Sequence, residues 1–511
     1  MKRKFYITTP VYYVNDVPHL GHAYTTIAAD TLARYKRLRG YEVFFLTGTD
    51  EHGDKIARTA KEKSISPREL ADKVVVRFQN LWEKLYISND DFIRTTEFRH
   101  TEVVRKVFLK LYEQDDIYKG KYKGWYCIPC ESFWLESQLK EGNLCPECGR
   151  KVEKVEEEGY FFRLSKYQKR LLLHLEKNPD FVLPPTRKNE VIKFVKSGLK
   201  DLSITRLKSN WGIPCPIQKE HTIYVWIDAL LNYISAIGYP LKKEKFSFLW
   251  PADVQIVGKD ILKFHAIIWP SLLMALGLKP PRMVFAHGWW KVNNEKMSKS
   301  KGNVVDPEEV AEKYGADSLR YFLLRDPPFG EDGIFSLSLF IKRVNSDLAN
   351  DLGNLLNRTL PLVIKYYEGR IPYPDREKSD GIEIKNRAEE TISQLDEIMN
   401  TLSFSRALSL IWEIVRSANL YIDRRAPWNL AKDKKREGGC GTVLYNVLDT
   451  LRIITLLIFP FIPQLAKKMW NQLGIKEELE KQILNEESIK KGITPGTEIK
   501  KGPPLFPRIE K

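Results

Sequence analysis

Cysteine is scarce in this sequence, and its few positions are unevenly distributed. Six cysteines occur in 511 residues; four lie between positions 127 and 148, and Cys215 and Cys440 stand alone. This arrangement argues against the disulfide framework of a secreted protein, and it favours a local metal site instead.

Long apolar runs and a secretion signal are also missing. The longest apolar run, 453–462, is interrupted by Thr455 and Pro460, and it has about half of the roughly 20 residues that a membrane helix needs. No N-terminal basic segment is joined to an apolar segment with a small-residue cleavage site. We therefore expect a cytoplasmic protein that has no membrane partner.

Acidic residues are outnumbered by basic ones. The 82 Lys and Arg residues exceed the 66 Asp and Glu residues, which gives a formal net charge of +16 at pH 7. This excess suits a polyanion such as nucleic acid, because neutralising phosphates releases counterions. A charge-rich surface that serves only solubility is the alternative.

The N-terminal segment has a strand–helix–strand pattern. A β-prone run at 5–9 is stopped by Pro10, apolar residues recur at helical spacing from 19 to 39, and 43–46 is a continuous apolar strand. Ligands of open parallel sheets bind at the turn between such a strand and helix. A second α/β stretch begins at 223, and the pattern is wholly helical from 337 to 473.

These patterns predict an α/β fold class: a Rossmann-like parallel-sheet domain with a cysteine-bearing insertion, followed by an all-α bundle. The predicted boundaries are 1–116 and 223–290 for the halves of the sheet domain, 117–222 for the insertion, 291–336 for a connecting domain, 337–480 for the bundle and 481–511 for a C-terminal tail.

The cysteine cluster consists of two Cys-x-x-Cys pairs, Cys127 with Cys130 and Cys145 with Cys148, separated by fourteen residues. Such turns place two thiolates on one ion, and two pairs complete a closed tetrahedral site for one Zn²⁺. Disulfides and an iron–sulfur centre are the alternatives, but a reducing cytoplasm disfavours the first and nothing else here does redox chemistry. Because four protein ligands leave no open position, we expect the zinc to be structural.

The first nucleotide-binding motif is His19-Leu20-Gly21-His22, which opens the predicted helix directly after a strand. A helix N-terminus presents free N–H groups and partial positive charge to triphosphate oxygens. Gly21 lets adenine approach the backbone, and both histidines can donate hydrogen bonds to phosphate as charge builds in the transition state. Two surface histidines near a helix start are the alternative.

The second motif is Lys296-Met297-Ser298-Lys299-Ser300, in a polar, glycine-bearing loop. Lysines in a mobile loop can close over leaving pyrophosphate and neutralise charge that develops only in the transition state. The alternative is a solvated basic loop.

Together the two motifs are those of class I aminoacyl-tRNA synthetases, and their surroundings resemble the methionyl-tRNA synthetase family. The stretches that carry this resemblance are Pro-Val-Tyr-Tyr-Val-Asn at 10–15, Gly-Thr-Asp-Glu-His-Gly at 48–53, Tyr-Val-Trp-Ile-Asp-Ala at 224–229 and Ala-Pro-Trp at 426–428. The resemblance implies ATP-dependent activation of L-methionine to methionyl-adenylate, with Mg²⁺ on the phosphates. The methionyl group would then pass to the 3′-terminal adenosine of tRNA-Met, both initiator and elongator.

The resemblance also implies roles for individual residues. ATP contacts would come from His19, Gly21, His22, Gly258, Asp260, His287, Gly288, Lys296, Met297 and Lys299, with His19, His22, Lys296 and Lys299 as catalytic groups. The methionine pocket would be formed by Val11, Tyr13, Asp50, Trp226, Ala229, Tyr233 and His265, with Asp50 on the substrate ammonium.

Methionine is hard to separate from leucine or norleucine by size alone, because a methylene-scale difference is worth only about 1–3 kcal/mol. Aromatic residues in such a pocket can add sulfur–aromatic contacts of roughly 0.3–1.5 kcal/mol. Position 230 is Leu where some family members carry Pro. Ordinary core packing is the alternative for these residues.

The helical region would then be the anticodon-binding domain, with Asn354, Arg358 and Trp428 reading the CAU anticodon. Single-stranded bases are recognised by stacking on aromatic rings and by hydrogen bonds to their edges. The cysteine cluster resembles the single-knuckle form of the family. The sequence ends without the further C-terminal tRNA-binding domain of some relatives, so we expect a monomer or weak dimer, with or without a separate subunit that supplies this domain.

Three alternative functions remain at this point. Leucyl-type synthetases share both motifs but carry a large editing insert, whereas 117–222 holds the knuckle and little more. The zinc of the cysteinyl enzyme is open and touches substrate, unlike a site of four cysteines. A non-catalytic tRNA-binding relative would have no physical reason to retain both histidines and both lysines of the motifs.

Overall fold

A parallel sheet, an antiparallel sheet and a helical bundle make up the computed structural model. It describes residues 3–134, 136–207, 209–292, 295–296, 305–375, 381–432 and 437–510. The strands are β1 Lys4–Tyr13, β2 Glu42–Asp50, β3 Asp91–Arg94, β4 Ile117–Cys127, β5 Ser132–Trp134, β6 Glu153–Phe162, β7 Val182–Leu183, β8 Leu202–Ser203, β9 Thr205–Arg206, β10 Thr222–Ile223, β11 Val254–Gly258, β12 Val284–His287, β13 Trp290–Val292, β14 Glu295–Lys296 and β15 Gly333–Ile334.

The α-helices surround the main sheet and then form the C-terminal bundle. They are α1 Leu20–Leu38, α2 Asp54–Glu62, α3 Pro67–Lys84, α4 Phe98–Glu113, α5 Gln168–Lys177, α6 Pro185–Lys196, α7 Val225–Leu230, α8 Asn232–Ser235, α9 Lys243–Leu249, α10 Trp269–Ala275, α11 Pro307–Tyr314, α12 Ala316–Arg325, α13 Leu337–Arg343, α14 Asn354–Tyr367, α15 Ile382–Asn400, α16 Phe404–Arg425, α17 Pro427–Leu430, α18 Glu437–Ile458, α19 Pro463–Gln472 and α20 Glu486–Lys490.

Within the described residues, the main sheet has six strands in the order β3-β2-β1-β11-β12-β7. Every neighbouring pair in it is parallel. The chain moves outward from β1 to β2 and β3, and it later adds β11 and β12 on the opposite side of β1. The carboxyl ends of β1 and β11 therefore meet where the strand order reverses, which is where open α/β sheets bind their ligands.

The first strand is longer than the sequence predicts, because Pro10 does not end it. Strand β1 continues to Tyr13, and its pairing with β2 shifts register between Thr8 and Val11. Proline has no N–H to donate, and an irregularity in the ladder accommodates it. This continuation pairs Val11 with Gly48 and Tyr13 with Asp50, at the carboxyl ends of both strands.

The segment 117–222 contains the antiparallel sheet β5-β4-β6-β8, with the cysteines at its end. However, β7 from the same segment pairs in parallel with β12 at the edge of the main sheet. The segment is therefore tied into the sheet domain. The second α/β stretch opens with the end of β10 at Ile223 and with α7, which begins at Val225.

The C-terminal region is helical from α13 to α19, as the sequence predicts. Its buried residues are continuous with those beneath β1 and α1. One described helix, 439–458, is long and apolar enough to cross a membrane, but 83% of its apolar window is buried inside the molecule. It forms the centre of the bundle core.

Candidate active site

The first motif is the start of α1, at the carboxyl edge of the sheet. His19 is the N-cap residue with extended backbone, and its Nδ1 accepts a hydrogen bond from the Gly21 N–H at 3.0 Å. The His19 N–H donates to His22 Nδ1 at 3.1 Å. Each histidine side chain therefore accepts a backbone N–H of the first turn, as in a capping box. The motif thus builds the helix start that the sequence predicts and holds both rings in place.

The two imidazole rings stack with centroids 3.8 Å apart and an interplanar angle of 21°. A Cβ on Gly21 would lie 2.9 Å from His19 Cε1, so glycine is needed for this approach. Desolvation lowers the pKa of His22 well below its usual value, and the neighbouring His19 and Lys55 act in the same direction. Without a bound anion, this histidine is neutral at pH 7.

Four of the predicted ATP residues lie at the carboxyl ends of β11 and β12, at the same edge of the sheet. They are Gly258, Asp260, His287 and Gly288. His287 Nδ1 donates to the Gly288 carbonyl at 2.7 Å, so its Nε2 accepts from the Thr25 hydroxyl of α1, also at 2.7 Å. Burial lowers the pKa of His287, which keeps this tautomer neutral. The structure therefore brings these predicted ATP residues to the start of α1.

Gly288 allows a close backbone approach, since a Cβ there would lie 2.2 Å from the Glu331 carbonyl oxygen. Next to it, Asp332 accepts hydrogen bonds from Lys259 at 2.6 Å and from the Trp289 N–H at 2.9 Å, and it pairs with Lys291 at 2.9 Å. Although burial opposes it, these lysines hold the pKa of Asp332 well below its usual value. Asp332 was not predicted from the sequence, because no motif surrounds it.

The second motif is described only at its first residue. Lys296 ends β14, which pairs with β13, and β13 follows His287 and Gly288 closely. Met297, Ser298, Lys299 and Ser300 lie outside the described residues. Their proposed roles stay predictions.

All seven predicted methionine-pocket residues line one cavity at the carboxyl edge of β1 and β2. The full lining consists of Pro10, Val11, Tyr13, Asp50, Trp226, Ala229, Leu230, Tyr233, Ile261 and His265. Trp226 and Ala229 lie on α7, as helical spacing predicts. Pro10 and Ile261 were not predicted as wall residues. Leu230 also lines the cavity.

The aromatic walls of this cavity are fixed by ring contacts. Trp226 stacks on Phe264 with centroids 3.7 Å apart and an interplanar angle of 5°, and Tyr13 meets Trp226 edge-on at 6.4 Å. The Tyr13 hydroxyl, the Trp226 indole N–H and one Asp50 carboxylate oxygen are buried and lack hydrogen-bond partners among the described residues. Leaving buried polar groups without hydrogen-bond partners costs folding free energy. These groups therefore indicate a site in which a polar ligand supplies the missing hydrogen bonds.

Asp50 lies at the end of β2 and is buried. Burial, reinforced by Asp228, raises the pKa of its carboxyl group well above the usual value. A cation in the cavity would restore the charged form, because opposite charge favours ionisation. The carboxyl group is therefore suited to a ligand ammonium.

His265 is neutral and fixed. Its Nδ1 donates to the Ile261 carbonyl at 3.0 Å, and its Nε2 accepts from the Tyr233 hydroxyl at 2.7 Å. Burial lowers its pKa to about 4. The pair provides a polar but uncharged end to an otherwise aromatic cavity.

A second buried cluster, centred on Asp228 of α7, was not predicted from the sequence. His52 Nδ1 and His100 Nε2 each donate to one oxygen of Asp228 at 2.7 Å. Although burial opposes the charge, the two histidines hold the pKa of Asp228 below its usual value. These residues are distant in sequence, so no spacing could have linked them.

The four cysteines converge as their spacing predicts. Their Sγ atoms all lie within 4.8 Å of one another, and Cys127 and Cys148 are 3.5 Å apart. Zn–S bonds of about 2.3 Å in a tetrahedron place sulfurs about 3.8 Å apart, so the geometry fits zinc. Cys127 and Cys145 are buried, and all four are free thiols.

The three predicted anticodon residues lie on the bundle. Asn354 and Arg358 are one turn apart on α14, and the Arg358 guanidinium lies 5.8 Å from the Trp428 ring centroid. Asp423 accepts a hydrogen bond from Arg358. Trp428 is only partly buried, so it is not a core tryptophan. The group offers an aromatic face, a cation and an exposed amide.

Family models and solved structures resemble the chain over nearly all of its length. The model described as tRNA synthetases class I (M) matches 5–360, and that of the anticodon-binding domain of tRNA ligase matches 382–500. A methionine–tRNA ligase of Caldanaerobacter subterraneus subsp. tengcongensis is 56% identical over 100% of this chain and 80% of its own.

Two structures of Mycobacterium tuberculosis methionyl-tRNA synthetase also match. The complex with methionyl-adenylate has a TM-score of 0.94 at 41% identity, covering 99% of this chain and 100% of that one. The free form has a TM-score of 0.88 at 38% identity, covering 100% and 99%. The chain belongs to the methionyl-tRNA synthetase family of class I aminoacyl-tRNA synthetases.

Proposed function

We propose that this protein is a methionine–tRNA ligase, and that the cavity beside the start of α1 is where it activates methionine. The observation that carries this function is the meeting of two sites at one sheet edge. The methionine cavity opens at the ends of β1 and β2, and the histidines of the first motif cap the helix that follows β1. A carboxylate held in the cavity is thereby brought to a triphosphate held at the helix start.

The first half-reaction joins methionine to ATP. A carboxylate oxygen of methionine attacks the α-phosphorus, the bond to the β-phosphate breaks, and its electron pair leaves with pyrophosphate. In our proposal Asp50 holds the ammonium, the cavity aromatics hold the thioether, and His19 and His22 donate to phosphate oxygens as charge develops. Lys296 and Lys299 would neutralise the leaving pyrophosphate.

The second half-reaction transfers the methionyl group to the terminal adenosine of tRNA: a ribose hydroxyl oxygen attacks the acyl carbon, the bond from that carbon to the phosphate oxygen breaks, and AMP leaves. We propose that Asn354, Arg358 and Trp428 read the anticodon CAU, because one partly exposed ring with an adjacent guanidinium can stack and hydrogen-bond unpaired bases. The net charge of +16 supports binding of the phosphate backbone.

Two metal ions belong to the proposal. Cys127, Cys130, Cys145 and Cys148 would hold one zinc ion that stabilises the end of the antiparallel sheet and has no open position for substrate. Mg²⁺ would arrive with ATP and supply charge neutralisation at the phosphates.

The location and assembly of the protein also stay proposals. We propose a cytoplasmic enzyme, in keeping with its free cysteines. Its oligomeric state, monomer or weak dimer, can be tested by sedimentation velocity.

The test of function is methionine-dependent ATP–pyrophosphate exchange, assayed with each of the twenty amino acids in turn. We expect exchange with methionine alone, because the buried carboxyl group of Asp50 and the aromatic walls select an α-amino acid with a thioether. Exchange with leucine or cysteine, or none with any amino acid, would contradict the proposal.

A further inference from the structure

Lys55 has an unusual position beside the methionine cavity. It lies in the first turn of α2, a few residues after β2 ends at Asp50. Its ammonium lies over the face of Tyr13, 4.9 Å from the ring centroid, and Tyr13 is a wall of the cavity. A lysine at this end of a helix opposes the helix dipole, so helix stability does not explain its presence.

The Lys55 ammonium has no ion pair or hydrogen bond within the part of the chain that the structure describes. The nearby acid Glu131 does not bond it, because its carboxylate accepts from the Lys55 backbone N–H at 2.9 Å and from the Tyr126 hydroxyl. The side chain is half-buried. Burial lowers the pKa of Lys55, although Glu131 and Asp50 act in the opposite direction.

Lys55 acts electrostatically on groups of both proposed substrate sites. Lys55 is close enough to His22 to lower its pKa, and close enough to Asp50 to be influenced by that carboxylate. His22 belongs to the proposed triphosphate site and Asp50 to the proposed ammonium site. Because this half-buried cation contacts a wall of the cavity and acts on both sites, we expect it to lie near the place where the methionine carboxylate and the α-phosphate must meet.

We propose that Lys55 is a catalytic residue that binds the non-bridging oxygens of the α-phosphate. As the carboxylate oxygen attacks phosphorus and pyrophosphate departs, negative charge on these oxygens is offset by the ammonium, which keeps its proton throughout. The Tyr13 ring holds the free ammonium by a cation–π contact until ATP arrives. This inference rests on the function proposed above.

The test compares Lys55→Met, Lys55→Arg and the matched control Lys73→Met in methionine-dependent ATP–pyrophosphate exchange. Lys73 is an exposed lysine that pairs with Glu69 on α3. We expect Lys55→Met to lower kcat by about 10²–10³-fold, as loss of one oxyanion donor does. The KM for methionine should change little, Lys55→Arg should recover most of the rate, and Lys73→Met should behave as the original chain.

An unchanged kcat in Lys55→Met, or a rise in methionine KM alone, would overturn the role of Lys55. If the original chain itself fails to exchange with methionine, the proposed function is wrong. Exchange by the original chain with full activity in Lys55→Met refutes only the present inference.

A measurement on the unaltered protein covers the case in which Lys55→Met does not fold. Acylation of Lys55 by an amine-specific reagent is followed by peptide mass spectrometry, with Lys73 as the internal reference. We expect protection by a sulfamoyl analogue of methionyl-adenylate, which carries an anionic centre at the phosphate position, and little protection by methioninol with adenosine, which do not. Equal protection by both would overturn the proposal.

Discussion

At the scale of single residues, burial sets the protonation of the cavity. Burial raises the pKa of Asp50 and lowers that of His22, His265 and His287, so in all four it shifts the protonation equilibrium toward the neutral form. Neutral groups cost less to keep out of water than charged ones. A charged substrate then shifts the pKa values of these groups, so substrate binding depends on pH.

Methionine binding should release protons, because an ammonium beside Asp50 lowers its raised pKa. Calorimetric titrations in buffers of different ionisation enthalpy should show a release that grows as the pH falls toward that pKa. Asp50→Asn should abolish this release and weaken binding by about 2–5 kcal/mol, as loss of one partner of a buried charge pair does. A release that persists in Asp50→Asn would assign the proton to another group.

His265 should make the protein less stable in acid. Its folded pKa of about 4 lies below the unfolded value of about 6.5, so the unfolded chain binds more protons between these values. The free energy of unfolding therefore decreases as the pH falls through this window, by up to about 1.4 kcal/mol per pH unit. Urea unfolding of His265→Gln from pH 7 to pH 4 should show a shallower decrease; an unchanged slope would contradict the pKa assignment.

At the scale of elements, charged side chains join the sheet domain to the bundle. Arg320 of α12 is buried and pairs with Asp30 of α1 at 2.7 Å. It also donates to the carbonyls of Phe461, Pro460 and Leu85, at 2.8 to 3.0 Å. Near the other end of α1, Tyr35 and Arg39 bond Asp396 of α15. The helix that starts at the ATP motif thus ends on the anticodon-binding domain.

Replacing Arg320 by Met should destabilise the protein by about 3–5 kcal/mol, because Asp30 keeps only Arg34 as an ion-pair partner among the described residues and three buried carbonyls lose their donor. The midpoint of urea unfolding measures the loss. Arg77→Met is the matched control, since Arg77 forms an exposed pair with Glu308 and such pairs contribute about 0–1 kcal/mol. Equal losses in both variants would show that the Arg320 contacts add nothing beyond a surface pair.

The cysteine cluster should contain one zinc ion per chain, as determined by elemental analysis of the purified protein. Cys145→Ser should lose this metal and lower the melting temperature, because a closed Cys₄ site stabilises its fold. Cys215→Ser, at a buried cysteine outside the cluster, should retain it. Full metal content in Cys145→Ser would exclude this site.

At the scale of the whole molecule, the sites that we propose for the amino acid and for the anticodon lie on different domains. The cavity lies on the main sheet, whereas Arg358 and Trp428 lie on the bundle. The two half-reactions therefore depend on different surfaces. A substitution on the bundle should affect only the steps that involve tRNA.

Trp428→Ala should preserve ATP–pyrophosphate exchange and impair aminoacylation, with a loss of about 1–3 kcal/mol for each base that no longer stacks. The ratio of kcat/KM for tRNA to that for methionine measures the effect. Phe98→Ala, at an aromatic residue that is 76% exposed on α4, should change neither reaction. Parallel losses of both reactions in Trp428→Ala would indicate a structural role.

Local signals predicted the parts of the site that depend on neighbours in sequence. The helix start at His19, the two cysteine pairs and the helical spacing of Trp226 and Ala229 all follow from contacts within a few residues. The extension of β1 beyond Pro10 was not predicted, because a register shift against β2 permits it. The position of β7 in the main sheet was missed for a similar reason, since its partner lies about a hundred residues away.

The sequence alone determined the fold class, the class of reaction and the cysteine site, because periodicity and short motifs encode helices, turns and ligand sets. Only the tertiary structure decided which distant groups face each other. It placed His52 and His100 on Asp228, and it left Lys55 over Tyr13 with its charge unpaired within the described residues. Such meetings depend on how strands and helices pack across the sheet, and no local pattern records that packing.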